Sequence, residues 1–510
     1  MATRKEQLDA FKFGRRRIVA NLIAPSPTGS DEGAPRPVKT FFASIMIGVV
    51  AVAAMTVLGY IHPSAPSGWQ NGLAEDSTTG AAYVFDTSDG ELHPVLNVTS
   101  AQLILGTNFA KYDVPDSTID AQKMGAPYGI LGAPPVAPSP GQVGLTSWTM
   151  CQRAKNPVDQ AVAGGQTVLE VGYGQGGMTA ASAADGFVVH DSKGDDFLLN
   201  GDFSYRISPV TGLAGALDGS EAGKVGPVGP WVADSFLQAF QTGSPITTFP
   251  SVQGLGRSAT APNQPPGAKI GEFGSFTTSS GTAYYIETES GLVRVTGFVS
   301  SLFQGSGALA EAKVSAGFDQ PLTQSEITEA APIDETKDPV DVQNVGATWP
   351  TEQVNTLNVD PTGPGFAVLC ANYDGAFEPD ATGDKVPKLA LWYGAQLPNQ
   401  TGGAGVASTG SQYANVIDVL AGQGALSRDV ANGNSANAGP LYLTVSTGSR
   451  YELTADPPPT GSTGSGKTAW GQLGYDTSKA EPVPDNWMSL VPAGARLDPN
   501  AAGKPYTFTQ

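Results

Sequence analysis

The stretch Gly461-Ser462-Thr463-Gly464-Ser465-Gly466-Lys467-Thr468 has the spacing G-x-x-x-x-G-K-T, which in nucleotide-binding proteins wraps a phosphate. Gly461 and Gly466 would give the tight backbone loop, Lys467 would neutralise phosphate charge, and Thr468 would hold a magnesium ion. The chemistry also needs a buried strand feeding the loop and a helix whose first amides face the anion. Here Asp456-Pro457-Pro458-Pro459 stands where that strand would be, and AWGQLGYD, short and broken by glycine, where the helix would be. The stretch therefore reads as an inserted Gly/Ser/Thr loop. Gly461, Gly466, Lys467 and Thr468 remain the nucleotide-binding candidates.

Other catalytic sets fail on inventory. The 3 His are His62, His93 and His190, and no pair of them has zinc spacing, so no metal site is expected. His190 stands beside Asp191, but no G-x-S-x-G supplies a serine nucleophile for them. Phe187-Val188-Val189-His190-Asp191 and Val416-Ile417-Asp418 read as strands with solvated ends. Carboxylate pairs carry little information in a chain with 47 Asp and Glu against 28 Lys and Arg. Catalytic residues stay unassigned.

The element that must position everything else is Phe41 to Ile61, FFASIMIGVVAVAAMTVLGYI, which has no charge and no proline. At about 1.5 Å per helical residue it covers roughly 30 Å, the hydrocarbon thickness of a bilayer. A secretory leader is the weaker reading, because some forty residues precede a run longer than a leader's core. Arg4, Lys5, Lys12, Arg15, Arg16, Arg17, Arg36 and Lys39 precede it, and the next basic residue is Lys111. That asymmetry places the arm in the cytoplasm and the remainder outside. The net charge is -19; the first 40 residues hold eight basic and four acidic groups, so the rest carries -19 - 4 = -23. An exterior so acidic excludes nucleic acid as a partner.

In the arm, Thr3 and Glu6 form a capping box. Leu8, Phe11, Ile18, Val19 and Leu22 then fall on one helical face with Arg15 among them. Such a helix suits anionic lipid, a cytoplasmic partner, or a topology signal alone. Ala24 to Lys39 is a Pro-rich linker. The 2 Cys, Cys151 and Cys370, lie outside, where thiols can pair; a bridge is expected, with two separate buried thiols as the alternative.

Glycine (64) and proline (40) point to many turns between short strands. Four hairpins recur: Ala82 to Val95, Phe197 to Ile207, Ala283 to Val295 and Leu441 to Leu453. Each is followed by short helical stretches, among them NVTSAQLILG, VADSFLQAF, GFVSSLFQG and, after Glu481-Pro482-Val483-Pro484-Asp485-Asn486-Trp487, MSLV. Units this small must pack on one another or on a common core.

QLDAFKFGRRRIVANLI, a linker ending in APRPVK, the apolar span and GELHPVLNVTSAQLILG together resemble the EccB family. EccB is the single-pass membrane component of the type VII (ESX) secretion system of actinobacteria. The resemblance runs the length of the chain, and Leu92 to Ala101 is its most specific piece. It implies a β-rich exterior with a central β domain that holds the cystine, surrounded by four hairpin-plus-helix repeat domains. The expected boundaries are 1–40 for the arm and 41–61 for the transmembrane helix. The repeats are expected at 62–145, 197–266, 283–348 and 441–510, and the central domain in three parts at 146–196, 267–282 and 349–440.

The resemblance also implies partners: EccC (the motor ATPase), EccD, EccE, a mycosin protease, membrane lipid and further copies of the chain. ATP is the small molecule it brings, since EccB members are described as ATPases; no other cofactor is expected. The expected function is a structural secretion subunit assembling through its exterior repeats. The alternatives are an ATP-hydrolysing subunit and an anchored cell-wall-binding protein.

Overall fold

The computed structural model describes residues 3–23, 37–61, 65–153, 166–210, 212–218, 229–261, 264–279, 281–315, 317–318, 322–328, 331–332, 342–357, 368–379, 383, 385–398, 405–431, 438–455 and 467–506. The arm forms the helix Arg4–Ile23, where the Thr3 amide donates to Glu6 at 2.7 Å. Leu8, Phe11, Ile18 and Leu22 are all exposed. The backbone of the apolar helix runs Pro37–Ile61, and its side chains are described at Lys39 and over Phe41–Val57, every one of them exposed. Among the described residues no helix is long and apolar enough to cross a membrane.

The rest of the chain is β-rich. β1 (Leu73–Asp76), β2 (Ala82–Asp86), β3 (Glu91–Pro94) and β4 (Lys111–Val114) form the first sheet, in the order β3-β2-β1-β4. β5 (Trp148–Arg153), β6 (Gln166–Val171) and β7 (Thr179–Ala180) enter the largest sheet. β8 (Asp185–His190), β9 (Asp196–Asn200), β10 (Phe203–Ile207) and β11 (Gln241–Thr242) make the second sheet, β11-β10-β9-β8. After β12 (Ser251–Val252) come β13 (Phe273–Thr278), β14 (Gly281–Thr288), β15 (Gly291–Val295) and β16 (Ala331–Pro332), the third sheet in chain order. β17 (Val342–Gln343) pairs with β12, and β18 (Asn355–Thr356) extends the second sheet beside β8.

β19 (Val368–Pro379), β20 (Lys385–Gly394), β21 (Val406–Ala407) and β22 (Val416–Val419) complete a seven-stranded sheet, β21-β22-β6-β5-β19-β20-β7. β23 (Gly424–Val430), β24 (Leu441–Val445), β25 (Ser449–Leu453) and β26 (Glu481–Pro484) form the fourth sheet, β25-β24-β23-β26. Each expected hairpin is one antiparallel pair: β2–β3, β9–β10, β14–β15 and β24–β25.

Strand membership departs from the expected boundaries in four places. Residues 267–282, expected in the centre, supply β13 of the third sheet; β8, within 146–196, belongs to the second; and of 349–440, β18 belongs to the second and β23 to the fourth. The reason is physical. A hairpin alone has two strands, too few to stand, so each recruits the strand before it.

Alternation along these recruited strands joins the layers. In β8, Phe187 and Val189 face the core of the seven-stranded sheet, while Val188 faces a core shared by the second and third sheets. In β23, Ala425 faces the first of these cores and Leu426 a different one, where the fourth sheet packs on the helix and loop that follow the first hairpin. The β-rich part thus has a central sheet and two flanking pairs. One pair packs Leu103 and Ile130 against Leu443, Leu473 and Leu497; the other packs Val188 and Leu198 against Ile286 and Phe298.

Candidate functional site

Of the phosphate-loop candidates, Gly461 and Gly466 lie outside the described residues, and the structure places Lys467 and Thr468 side by side. Thr468 Oγ1 accepts the Gly471 amide at 3.1 Å and caps the helix Ala469–Leu473, which ends on Gly474 in the left-handed region. The same task falls to Asn97 before the helix Val98–Leu105 and to Thr296 before Gly297–Gln304, both of which follow a hairpin. Thr468 is therefore the helix cap of the fourth sheet's unit. Lys467 Nζ donates to the Ile104 carbonyl at 3.4 Å, and Gln472 Nε2 to the Leu103 carbonyl at 2.9 Å. Both satisfy the C-terminal end of a first-sheet helix, where a cation is favoured. Tyr475, whose hydroxyl donates to the Pro138 carbonyl at 2.8 Å, adds a further tie between these two units.

Cys151 and Cys370 form a disulfide. They stand directly opposite on β5 and β19, with Cα atoms 4.0 Å apart at a sequence separation of 219. Both are fully buried, against Val368, Met178 and Trp392. The bond joins two parts of the central sheet contributed far apart in the chain.

Near it lies a junction of large side chains. Trp487 is buried in the turn of helix after β26, and its indole donates to the Ala239 carbonyl beyond β10 at 2.8 Å. Tyr373 of β19 donates its hydroxyl to the Pro482 carbonyl, and its ring lies 6.0 Å from that of Trp487. Burial pushes the neighbouring Glu481 carboxyl up to about 8; the Trp148 indole offsets part of this and the Asp374 charge adds to it. Burial likewise raises Glu287 to about 7, with Glu272 and Glu326 contributing, and both its carboxylate oxygens are buried without a hydrogen-bond partner. Asp202 also rises to about 7, chiefly by burial, against the opposing Leu389 amide.

The remaining candidates do structural work. His190 Nδ1 sits 3.0 Å from the Gly229 carbonyl, and Asp191 Oδ1 accepts the Lys193 and Asp195 amides in a turn. Asp418 accepts the Tyr173 hydroxyl at 3.0 Å. His62 lies outside the described residues.

The family described as "Type VII secretion system ESX-1, transport TM domain B" matches residues 1–505. The chain belongs to the EccB family. It is a component of type VII secretion machinery. It is similar to the "ESX-3 secretion system ATPase EccB3" of Mycobacterium tuberculosis, 26% identical over 97% of this chain and 88% of the relative. It is also similar to the "ESX-1 secretion system ATPase EccB1" of the same species, 32% identical over 29% of this chain and 30% of that one. Among solved structures, an EccB-like chain of an intact ESX-5 inner membrane complex matches with a TM-score of 0.61 at 19% identity, covering all of this chain and 96% of that one. The EccB3 dimer from an ESX-3 core complex matches at 0.59 and 22% identity, over 84% of this chain and 99% of that one. These likenesses establish the shared fold.

Proposed function

We propose that this EccB-family chain is an anchored structural subunit of a secretion complex, and that its exterior self-associates along the seam between its first and fourth sheets. The observation that carries this reading is a string of exposed apolar side chains: Met124 (46% exposed), Leu131 (69%) and Val136 (62%). Beyond Leu96, Val210 and Val406, each 37–41% exposed, they are the large apolar side chains left open on the described exterior. Their segment runs beside β3, through the Leu92–Met124 and Val95–Tyr128 bridges, and touches the fourth unit's end through the Tyr128–Pro505 bridge. Apolar side chains gathered on an acidic surface mark an interaction site. A second copy is the occupant we assign, in keeping with the EccB3 dimer of the ESX-3 core complex.

In this reading the Phe41–Ile61 stretch crosses the membrane, the basic arm stays cytoplasmic beside anionic lipid, and the acidic part stands outside. The flanking sheets act as four repeats around the central sheet, each supplying surface for neighbours such as EccC, EccD, EccE and a mycosin protease. ATP turnover is part of the relatives' names; at Lys467 and Thr468 the capping and carbonyl contacts favour a structural role.

Light scattering on the full-length chain in detergent tests the seam. The wild type should form a concentration-dependent dimer, and the pair Leu131→Asp with Val136→Asp should be monomeric with an unchanged melting temperature. A dimer of undiminished affinity in that variant would overturn the assignment.

A further inference from the structure

The first hairpin turn gathers three groups that the sequence separates as D-x-x-D-x-x-x-H. Asp86 ends β2, Asp89 lies in the turn, and His93 sits in β3. Gly90, at φ 73°, lets its amide donate back to the Asp86 carbonyl at 2.9 Å and so closes the turn. Asp86 Oδ1 accepts the Ser88 amide at 2.8 Å, and Asp89 Oδ1 accepts the Glu91 amide at 2.9 Å. Each carboxylate is thereby oriented through one oxygen. The other oxygen of Asp86 takes the Tyr128 hydroxyl at 3.1 Å, and that of Asp89 faces His93.

The imidazole is held from every side. Its side chain is 3% exposed, Tyr128 stacks on it with ring centres 3.7 Å apart, and a Cβ on Gly125 would sit 2.2 Å from its Cε1. Nδ1 lies 2.7 Å from the Ala126 carbonyl. A carbonyl can only accept, so Nδ1 carries the proton, and Nε2 is aimed at Asp89 Oδ2, 3.0 Å away. In the neutral ring, Nε2 then turns a lone pair toward a carboxylate. Something positive must lie between them, and the choice is a proton or a metal ion.

A proton would serve only Nε2 and Asp89, with Asp86 keeping its bonds from the Ser88 amide and the Tyr128 hydroxyl. A metal ion serves all three donors, which lie within 4.8 Å of one another. Ligands at about 2.1 Å around a tetrahedral ion stand about 3.4 Å apart, so a small carboxylate rotation brings Asp86 in. Anchoring the far nitrogen of a ligating histidine on a backbone carbonyl is the usual outer support of such sites. We propose that Asp86, Asp89 and His93 hold one divalent transition-metal ion of the zinc class, with water completing the coordination.

The test uses the full-length chain in detergent, stripped with chelator and titrated with Zn²⁺ and Co²⁺. We expect one zinc per chain, visible Co²⁺ d–d bands typical of four-coordinate nitrogen–oxygen ligation, and a higher melting temperature with metal. Asp89→Asn changes an exposed side chain and should weaken zinc about tenfold or more while the metal-free protein melts as before. His93→Gln should abolish the Co²⁺ bands. Absence of saturable zinc, or an unchanged affinity in Asp89→Asn, would overturn the site and leave an imidazolium–aspartate pair in its place.

Discussion

The two flanking pairs of sheets are built from the same parts joined in two ways. In the first and fourth sheets the fourth strand runs parallel beside the opening strand, β4 on β1 and β26 on β23. In the second and third it runs parallel beside the last hairpin strand, β11 on β10 and β16 on β15. The second and third sheets share one core, and the helix and loop that follow the first sheet's hairpin pack into the core of the fourth. Parallel strands need a crossover, and where it lands depends on the neighbour that covers the sheet. The lesson is that the hairpin and its capped helix are local, whereas the closing strand answers to the partner unit.

The sharpest way to break this picture is to cut the tie between the pairs. Trp487 belongs to the fourth unit, yet it bonds to Ala239 in the second. Trp487→Ala should cost about 3–5 kcal/mol and, if the pairs are separate bodies, divide one calorimetric transition into two. A single transition lowered by under 1 kcal/mol would say that the pairs do not meet there.

The cystine lies in the central sheet that both pairs share, so its loss should lower both pairs alike. In the chain-entropy view a bridge closing so long a loop contributes up to about 5 kcal/mol. Cys151→Ser, Cys370→Ser and the double variant should therefore melt at the same reduced temperature, since each removes the whole bond. An additive double variant would contradict the bond.

A subtler distinction comes from pH, because each pair buries an acid. Glu481 is raised to about 8 and Glu287 to about 7, so the folded state holds protons that the unfolded chain has released. The stabilisation is full below the ordinary carboxylate range and is lost as pH rises through those values. Melting curves from pH 5 to 9 should slope downward, Glu481→Gln flattening the fall near 8 and Glu287→Gln the fall near 7. Unaltered slopes in both variants would place the titration elsewhere.

Much of this was legible in the residues. Alternation around Ser88-Asp89-Gly90, Asn200-Gly201, Ser290-Gly291 and Thr447-Gly448 locates all four hairpins, because turn chemistry is local. Val114-Pro115-Asp116 and Val483-Pro484-Asp485 each end a parallel strand and start a turn of helix, a repeat that spacing alone could have revealed. The assignment of β8, β13 and β23 to flanking sheets was not legible, since their alternation serves two cores at once. Thr468 misleads for a related reason. A threonine that caps a helix after a flexible loop satisfies the same spacing as one that holds magnesium. The Asp86, Asp89 and His93 cluster escaped a search for histidine pairs, because one turn joins donors of different types.

The central claim is that the exterior works by assembly, and a secretion assay in a strain lacking the endogenous subunit tests it most directly. Lys467→Ala removes one exposed contact, about 0.5 kcal/mol, and should secrete at the wild-type level. Leu131→Asp with Val136→Asp should fold, reach the membrane and fail to secrete. The opposite pattern, with Lys467→Ala folded, assembled and secretion-dead while the seam variant secretes normally, would contradict the structural account and favour nucleotide chemistry.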